Sequence, residues 1–191
     1  MSQEIDISWE VLGRIVREWE SSSAQIAQVT PLEGGCISTA VAMELTDGRK
    51  VVCKISPHRV DRSYVNEAHQ LKCMSELGLP TPRVYAAKIG SLDDPFSYIL
   101  MEFVEGCNLH QAKQRCSAEE FDRLQTQLAE MLILLHESTA TEYGRVEVSP
   151  APSQFNSWPT FYRAIFDPIC QEALKLQAMP VKTRKQIGKI H

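Results

Sequence analysis

The stretch "TAVAMELTDGRKVVCKIS" (39–56) leaves little freedom to whatever fold contains it. Val41, Met43 and Leu45 alternate with small or polar residues, the period of a strand with one buried face. Asp47-Gly48 follows, and Asp-Gly between two such runs marks a tight β-hairpin. "VVCKIS" is then the returning strand. Ahead of the hairpin stand Gly34 and Gly35, which permit positive φ and close backbone approach. Main-chain N–H groups in such a loop can cover a phosphate. It is not a P-loop, because no Gly-Lys-Ser/Thr follows; a plain turn is the alternative for an isolated Gly-Gly.

Lys54 lies inside the returning strand. It shares a face with Val52, while Cys53 and Ile55 take the other. A lysine on an inner strand face needs an anionic partner, since an unpaired buried ammonium is costly. Residues 61–77 read as a helix, with Asp61 or Ser63 as its cap and Gly78 past its last turn. On it Glu67 shares a stripe with Tyr64, Leu71 and Met74, so it faces protein. A strand lysine paired with a glutamate on the next helix positions nucleotide phosphates in protein-kinase-like folds. On spacing alone the alternative is a lysine snorkelling at a strand edge and a surface glutamate.

The rest of the chain supplies a frame for these residues. Residues 7–20 form an amphipathic helix through Leu12, Ile15, Val16 and Trp19. "IAQVTPL" is a short strand whose Pro31 suits an edge. "RVYAAKI" and "FSYILMEFV" are two further strands, which gives five with one helix between the third and fourth. The end of the last offers a second ligand contact. The Glu102 carbonyl and the Val104 N–H match the acceptor and donor needs of adenine, with Met101 behind them; the bland alternative is a strand end with an exposed acid. Residues 105–116 read as a polar connection. Ser117 and Glu120 form a capping box for a long helix with the stripe Phe121, Leu124, Leu128, Met131 or Leu132, and Leu135. A Pro/Ser loop leads to "FYRAIFDPICQEALKLQ", a helical pattern that Pro168 kinks or splits. The expected fold is α+β: a nucleotide-binding lobe over 1–104, with a five-stranded antiparallel sheet, and a partial helical lobe over 105–191.

Composition narrows the partners. A formal net charge of −4 gives no basic surface for nucleic acid or anionic membrane. No apolar run reaches membrane-spanning length, and the acidic start "MSQEIDISWE" is not a signal peptide. The six cysteines, at 36, 53, 73, 107, 116 and 170, form no C-x-x-C pair, which argues against structural zinc. Reduced thiols in a cytoplasm are the expectation.

With these elements in order, the segment from "GGCIS" through Lys54 resembles the N-terminal lobe of the fructosamine (ketosamine) kinases. Those belong to the aminoglycoside-phosphotransferase-like group of the protein-kinase-like fold. "NEAHQLKCMSELGLPTPRVY", "YILMEFVEG", "LAEMLILLHESTATEYG" and "WPTFYRAIFDPI" continue the resemblance through the helix, the hinge and the first helices of the second lobe. It implies an ATP- and magnesium-dependent kinase that phosphorylates a sugar hydroxyl of a free or protein-bound ketosamine. Lys54 would hold the α- and β-phosphates with Glu67 orienting it, and Gly34 and Gly35 would cover them. Glu102 and Val104 would bind adenine through their backbones. Cys36 stands where this family often carries a loop cysteine that cross-links two chains on oxidation; an ordinary reduced thiol is the alternative.

One departure is large. The family's catalytic loop reads H-x-D-x-x-x-x-N, and none of the histidines at 58, 69, 110, 136 and 191 has an aspartate two residues later. Asp167 has Glu172 where the asparagine belongs. The base and the magnesium ligands are thus not in this chain, and "KTRKQIGKIH" looks like a helix cut before that loop. Little or no turnover is expected from residues 1–191 alone, because phosphoryl transfer rests on positioning and charge neutralisation. Cys170, Leu174 and the aromatic cluster at 161–166 are expected to expose an apolar face, with self-association through it or through Cys36. The competing readings are a non-catalytic kinase-like binding module and an aminoglycoside- or choline-type phosphotransferase.

Overall fold

A computed structural model describes residues 7–20, 24–32, 39–56, 61–148 and 155–175. Helix α1 (Trp9–Trp19) starts at Ser8, whose side chain accepts from the Val11 N–H. Strands β1 (Ile26–Pro31), β2 (Thr39–Leu45) and β3 (Lys50–Ser56) follow. Helix α2 (Ser63–Glu76) precedes β4 (Val84–Lys88) and β5 (Ser97–Glu102). The five strands form one sheet in the order β1-β2-β3-β5-β4, with every neighbouring pair antiparallel. Pro31 is therefore in an edge strand, where its missing N–H costs no ladder bond. The β2–β3 turn closes where Asp-Gly predicts it: Gly48 has φ +85°, and Asp47 Oδ1 accepts from Arg49 N at 3.0 Å.

Alternation along the strands builds two cores. Val51, Cys53 and Ile55 of β3, with Tyr98 and Leu100 of β5, face Leu12, Ile15 and Val16 of α1. Ile99 and Met101 of β5, with Val52 of β3, face Tyr64, Ala68 and Leu71 of α2. β5 is thus buried on both faces up to Met101, and so reads as a continuous apolar run. A register shift between Val84 and Ala86 lets Tyr85 and Ala86 both meet the α1 core. There Tyr85 stacks on Trp19 with ring centroids 4.6 Å apart.

Helix α2 starts close to where the sequence places it. Arg62, in αR conformation, is the residue before the first helical position and its own side chain makes no capping bond; the expected Asp61 supplies the acceptor instead, its Oδ1 accepting from Ser63 N at 2.9 Å. Gly78, at φ +83°, ends the helix in the left-handed conformation. Residues 105–116 are not simply a connection. They contain α3 (Leu109–Arg115), whose Asn108–Gln111 capping box starts it and whose one buried residue is Ala112. Capping rather than periodicity makes this helix, so an apolar stripe could not reveal it. Helix α4 (Ala118–Glu137) opens on the Ser117–Glu120 capping box. None of its residues is buried, and Leu128, Leu132, Ile133 and Leu134 are exposed.

The chain divides into two compact units, Met1–Ser138 with Val146–Val148, and Thr139–Arg145 with Ser149–His191. The second is built around α5 (Trp158–Lys175), which runs unsplit through Pro168. Pro168 removes one backbone donor there. Tyr143, Phe155, Trp158, Phe161, Tyr162 and Phe166 form its chain of aromatic contacts. Tyr162, Phe166 and Ile169 are exposed, as an apolar face requires, but Cys170 is buried at 1% exposure and is not part of that face.

Candidate functional site

Lys54 sits at the middle of the sheet, opposite Ala40 of β2 on one side and Ile99 of β5 on the other. A central strand leaves its side chain only two directions, and the α1 side is filled by Cys53 and Ile55. Lys54 therefore projects toward α2, beside Val52. Its Nζ lies 2.5 Å from Glu67 Oε1, and the two side chains are 34% and 31% exposed. The pair is thus neither a free surface contact nor a sealed one: solvent, or a ligand, reaches both groups. Tyr64, Ala68 and Leu71 pack α2 against the sheet, and Glu67 meets the lysine beside that contact.

The end of β5 lies beyond that pair. Met101 is 5% exposed and opposite Val52, on the Lys54 face of the sheet. Glu102 N donates to Arg83 O at 2.8 Å, while Arg83 N donates to the Glu102 carboxylate at 3.0 Å. In an antiparallel ladder that second donor would go to the Glu102 carbonyl. The carboxylate of Glu102 takes it instead. Val104, just past the strand, is 64% exposed, and no partner for its N–H is seen among the described residues. Lys54, Glu67 and Met101 thus share the α2 side of the sheet, with the strand end of Glu102 and Val104 leading away from it. Gly34, Gly35 and Cys36 lie outside the described residues.

A cavity of about 460 Å³ lies elsewhere, between α1 and the sheet end, lined by Trp19, Glu20, Arg49, Lys50, Arg83 and Glu102 among others. Arg49 bridges Glu20 and Asp47 there, and those contacts hold both carboxyls below their usual range. This cavity is on the face opposite Lys54. Charge pairs line its rim.

Two features of this neighbourhood had no signal in the sequence. Asn66 and Gln70 on α2 bond to the backbone of residues 146–148, and Asp94 joins Arg14 to Lys88. Their partners are between 6 and 82 positions away, and nothing local announces most of them. Among the described residues no group of three or more His, Cys, Asp or Glu is gathered to hold a metal ion.

A strand lysine ion-paired to a glutamate of a helix is a device that protein kinases use. The chain belongs to the phosphotransferase enzyme family (APH), whose model matches residues 28–180. Two solved structures share its fold. A candidate fructosamine-3-kinase from Haemophilus somnus 129PT superposes with a TM-score of 0.58 at 21% identity, over 81% of this chain and 50% of its own. A second, from Thermobifida fusca YX-ER1, gives a TM-score of 0.58 at 19% identity, over 94% of this chain and 59% of its own. The present chain therefore spans between 50% and 59% of the length of these two proteins. No curated protein matches the sequence.

Proposed function

We propose that residues 1–104 form the ATP-binding lobe of a sugar-directed phosphotransferase of the ketosamine-kinase type, and that residues 105–191 begin its helical second lobe. The observation that carries this reading is the Lys54–Glu67 pair, half-open on the α2 face of the sheet in a chain of the phosphotransferase family. Lys54 binds the α- and β-phosphates, and Glu67 holds its ammonium in place between turnovers. The Glu102 carbonyl accepts from the adenine amino group, the Val104 N–H donates to a ring nitrogen, and Met101 closes the back. Gly34 and Gly35 are assigned the phosphate cover on sequence grounds.

In the reaction the sugar hydroxyl oxygen bonds to the γ-phosphorus, the bond from that phosphorus to the β–γ bridging oxygen breaks, and ADP leaves. The hydroxyl proton passes to a base. These 191 residues contain no H-x-D-x-x-x-x-N sequence to supply that base. The chain as it stands is accordingly proposed to bind nucleotide without turning it over. No helix of the described residues is long and apolar enough to cross a membrane. The five described cysteines are free, which fits the reducing compartment where ATP-dependent sugar chemistry takes place.

Titration of ATP into the chain tests the reading. Lys54→Ala removes a charge-assisted phosphate contact, worth roughly a tenfold to hundredfold loss of affinity. Unchanged affinity in a variant with an unaltered circular dichroism spectrum would overturn the assignment.

A further inference from the structure

The outer side of α2 carries a contact that its inner side does not explain. Gln70 Nε2 donates to the Val146 carbonyl at 3.0 Å, and Asn66 Oδ1 accepts from the Val148 N–H at 3.1 Å. Asn66 and Gln70 are four residues apart, so they stand one turn above each other on a single helix face. The carbonyl and N–H they meet are two residues apart on a passing segment, a spacing that matches one helical turn. Val146–Val148 packs with the unit that contains α2, although the chain on both sides of it belongs to the second unit.

This contact matters because α2 is weakly anchored otherwise. Tyr64 is its one buried residue, and its cap residue Arg62 makes no side-chain capping bond. Such a helix can roll on the sheet, and its intrinsic propensity fixes neither its rotation nor its depth. On the helical wheel Glu67 falls between the inner stripe of Tyr64, Ala68 and Leu71 and the outer pair Asn66 and Gln70. A roll in either direction moves its carboxylate off Lys54.

We propose that Asn66 and Gln70 are positioning residues: by clasping the backbone of Val146–Val148 they fix the rotation of α2 and keep Glu67 on Lys54. Nucleotide affinity is then set partly by a segment that follows α4, far from the sheet in sequence. This inference rests on the ATP-site reading above and adds a regulated element to it.

The experiment is an ATP titration of paired variants of the 191-residue chain. Asn66→Leu with Gln70→Leu weakens ATP binding roughly fivefold. In a Lys54→Ala background the same pair of changes has no further effect, because the lysine that Glu67 orients is gone. Two single swaps separate positioning from charge and from folding. Asn66→Asp keeps the acceptor for the Val148 N–H and retains affinity. Gln70→Glu turns a donor into an acceptor facing the Val146 carbonyl and loses affinity. Both add one negative charge to one helix, so a charge effect would move them alike. Should Lys54→Ala leave ATP affinity unchanged, the nucleotide reading itself falls. If Lys54→Ala weakens binding while the Leu pair has no effect, or the same effect in both backgrounds, the positioning role is overturned. Equal behaviour of Asn66→Asp and Gln70→Glu also overturns it.

Discussion

Asp94 ties α1 to the strands that carry the hinge, and replacing it with asparagine is the sharpest test of how the sheet is held. Its Oδ1 lies 2.6 Å from Arg14 Nη2 of α1, and its Oδ2 lies 2.8 Å from Lys88 Nζ of β4. Glu18 of α1 completes the cluster, reaching Lys88 at 3.4 Å and accepting from the Tyr98 hydroxyl at 3.2 Å. The Asp94 side chain is 15% exposed, but Arg14 and Lys88 are 40% and 35% exposed. Two fully enclosed charge-assisted bonds would stabilise by about 3 to 6 kcal/mol. Solvent at the cationic ends reduces this, and an asparagine oxygen still accepts one bond. The expected cost of Asp94→Asn is thus about 2 kcal/mol, or a fall of roughly 4 to 8 °C in melting temperature for a chain of this length.

The pH profile makes that prediction specific. Burial alone would raise the Asp94 carboxyl, but the hydrogen bond and charge of Lys88, with the charge of Arg14, outweigh it and hold the group below its usual 3.8. A depressed carboxyl stabilises the fold above its unfolded value and loses that contribution as pH falls through the folded one. The Lys88 ammonium is raised above its usual 10.5, chiefly by its bond to Asp94, so its share persists until the solution is more alkaline than that. Urea unfolding of both proteins, followed by circular dichroism, should show a constant gap from neutral pH down to about pH 5. The gap should then narrow below 3.8. A gap under about 0.5 kcal/mol at neutral pH would refute the magnitude. One that is unchanged below the folded pKa would refute the electrostatic cause.

Two further outcomes are readily measured. Burial pushes the Cys53 thiol up to about 12 and leaves none of its surface exposed, whereas Cys107 is exposed. A thiol reagent at neutral pH should label Cys107 in the native chain and reach Cys53 only after unfolding; peptide mapping that finds native Cys53 labelled would contradict the burial. Ser117→Ala removes the acceptor of the Glu120 N–H and should cost about 1 kcal/mol of α4 stability, read as faster hydrogen exchange in its first turn. Unchanged exchange there would mean that packing, not the cap, holds that end.

What the sequence revealed of this fold follows the range of the interactions that build it. The β2–β3 hairpin was legible because its turn chemistry and alternation are local, and its observed turn residue is the predicted Gly48. The five strands and the helix between the third and fourth were legible for the same reason. Helix α3 was not, because one buried alanine leaves no stripe to read. The continuity of α5 was hidden by Pro168, whose local preference argues for a kink or a split, while the helix runs unsplit through it. The Asp94–Arg14 bridge and the strap on α2 join residues 76 to 82 positions apart, through side chains common on any surface.

Lys54 and Glu67 occupy an intermediate case, and it explains why the ion pair could be read ahead of its surroundings. They are 13 positions apart, too far for a spacing rule to pair them. Each nevertheless stood out within its own element: a cation where the strand's alternation demands a buried face, and an anion on the stripe where the helix demands apolar residues. Two such local violations on consecutive elements imply each other, since neither charge can be sheltered from water without a partner. The topology then leaves little choice. With β3 between β2 and β5 and the α1 core filled, α2 is the element that can bring an anion to Lys54. The pair stays about one-third exposed rather than sealed, so solvent still reaches both groups.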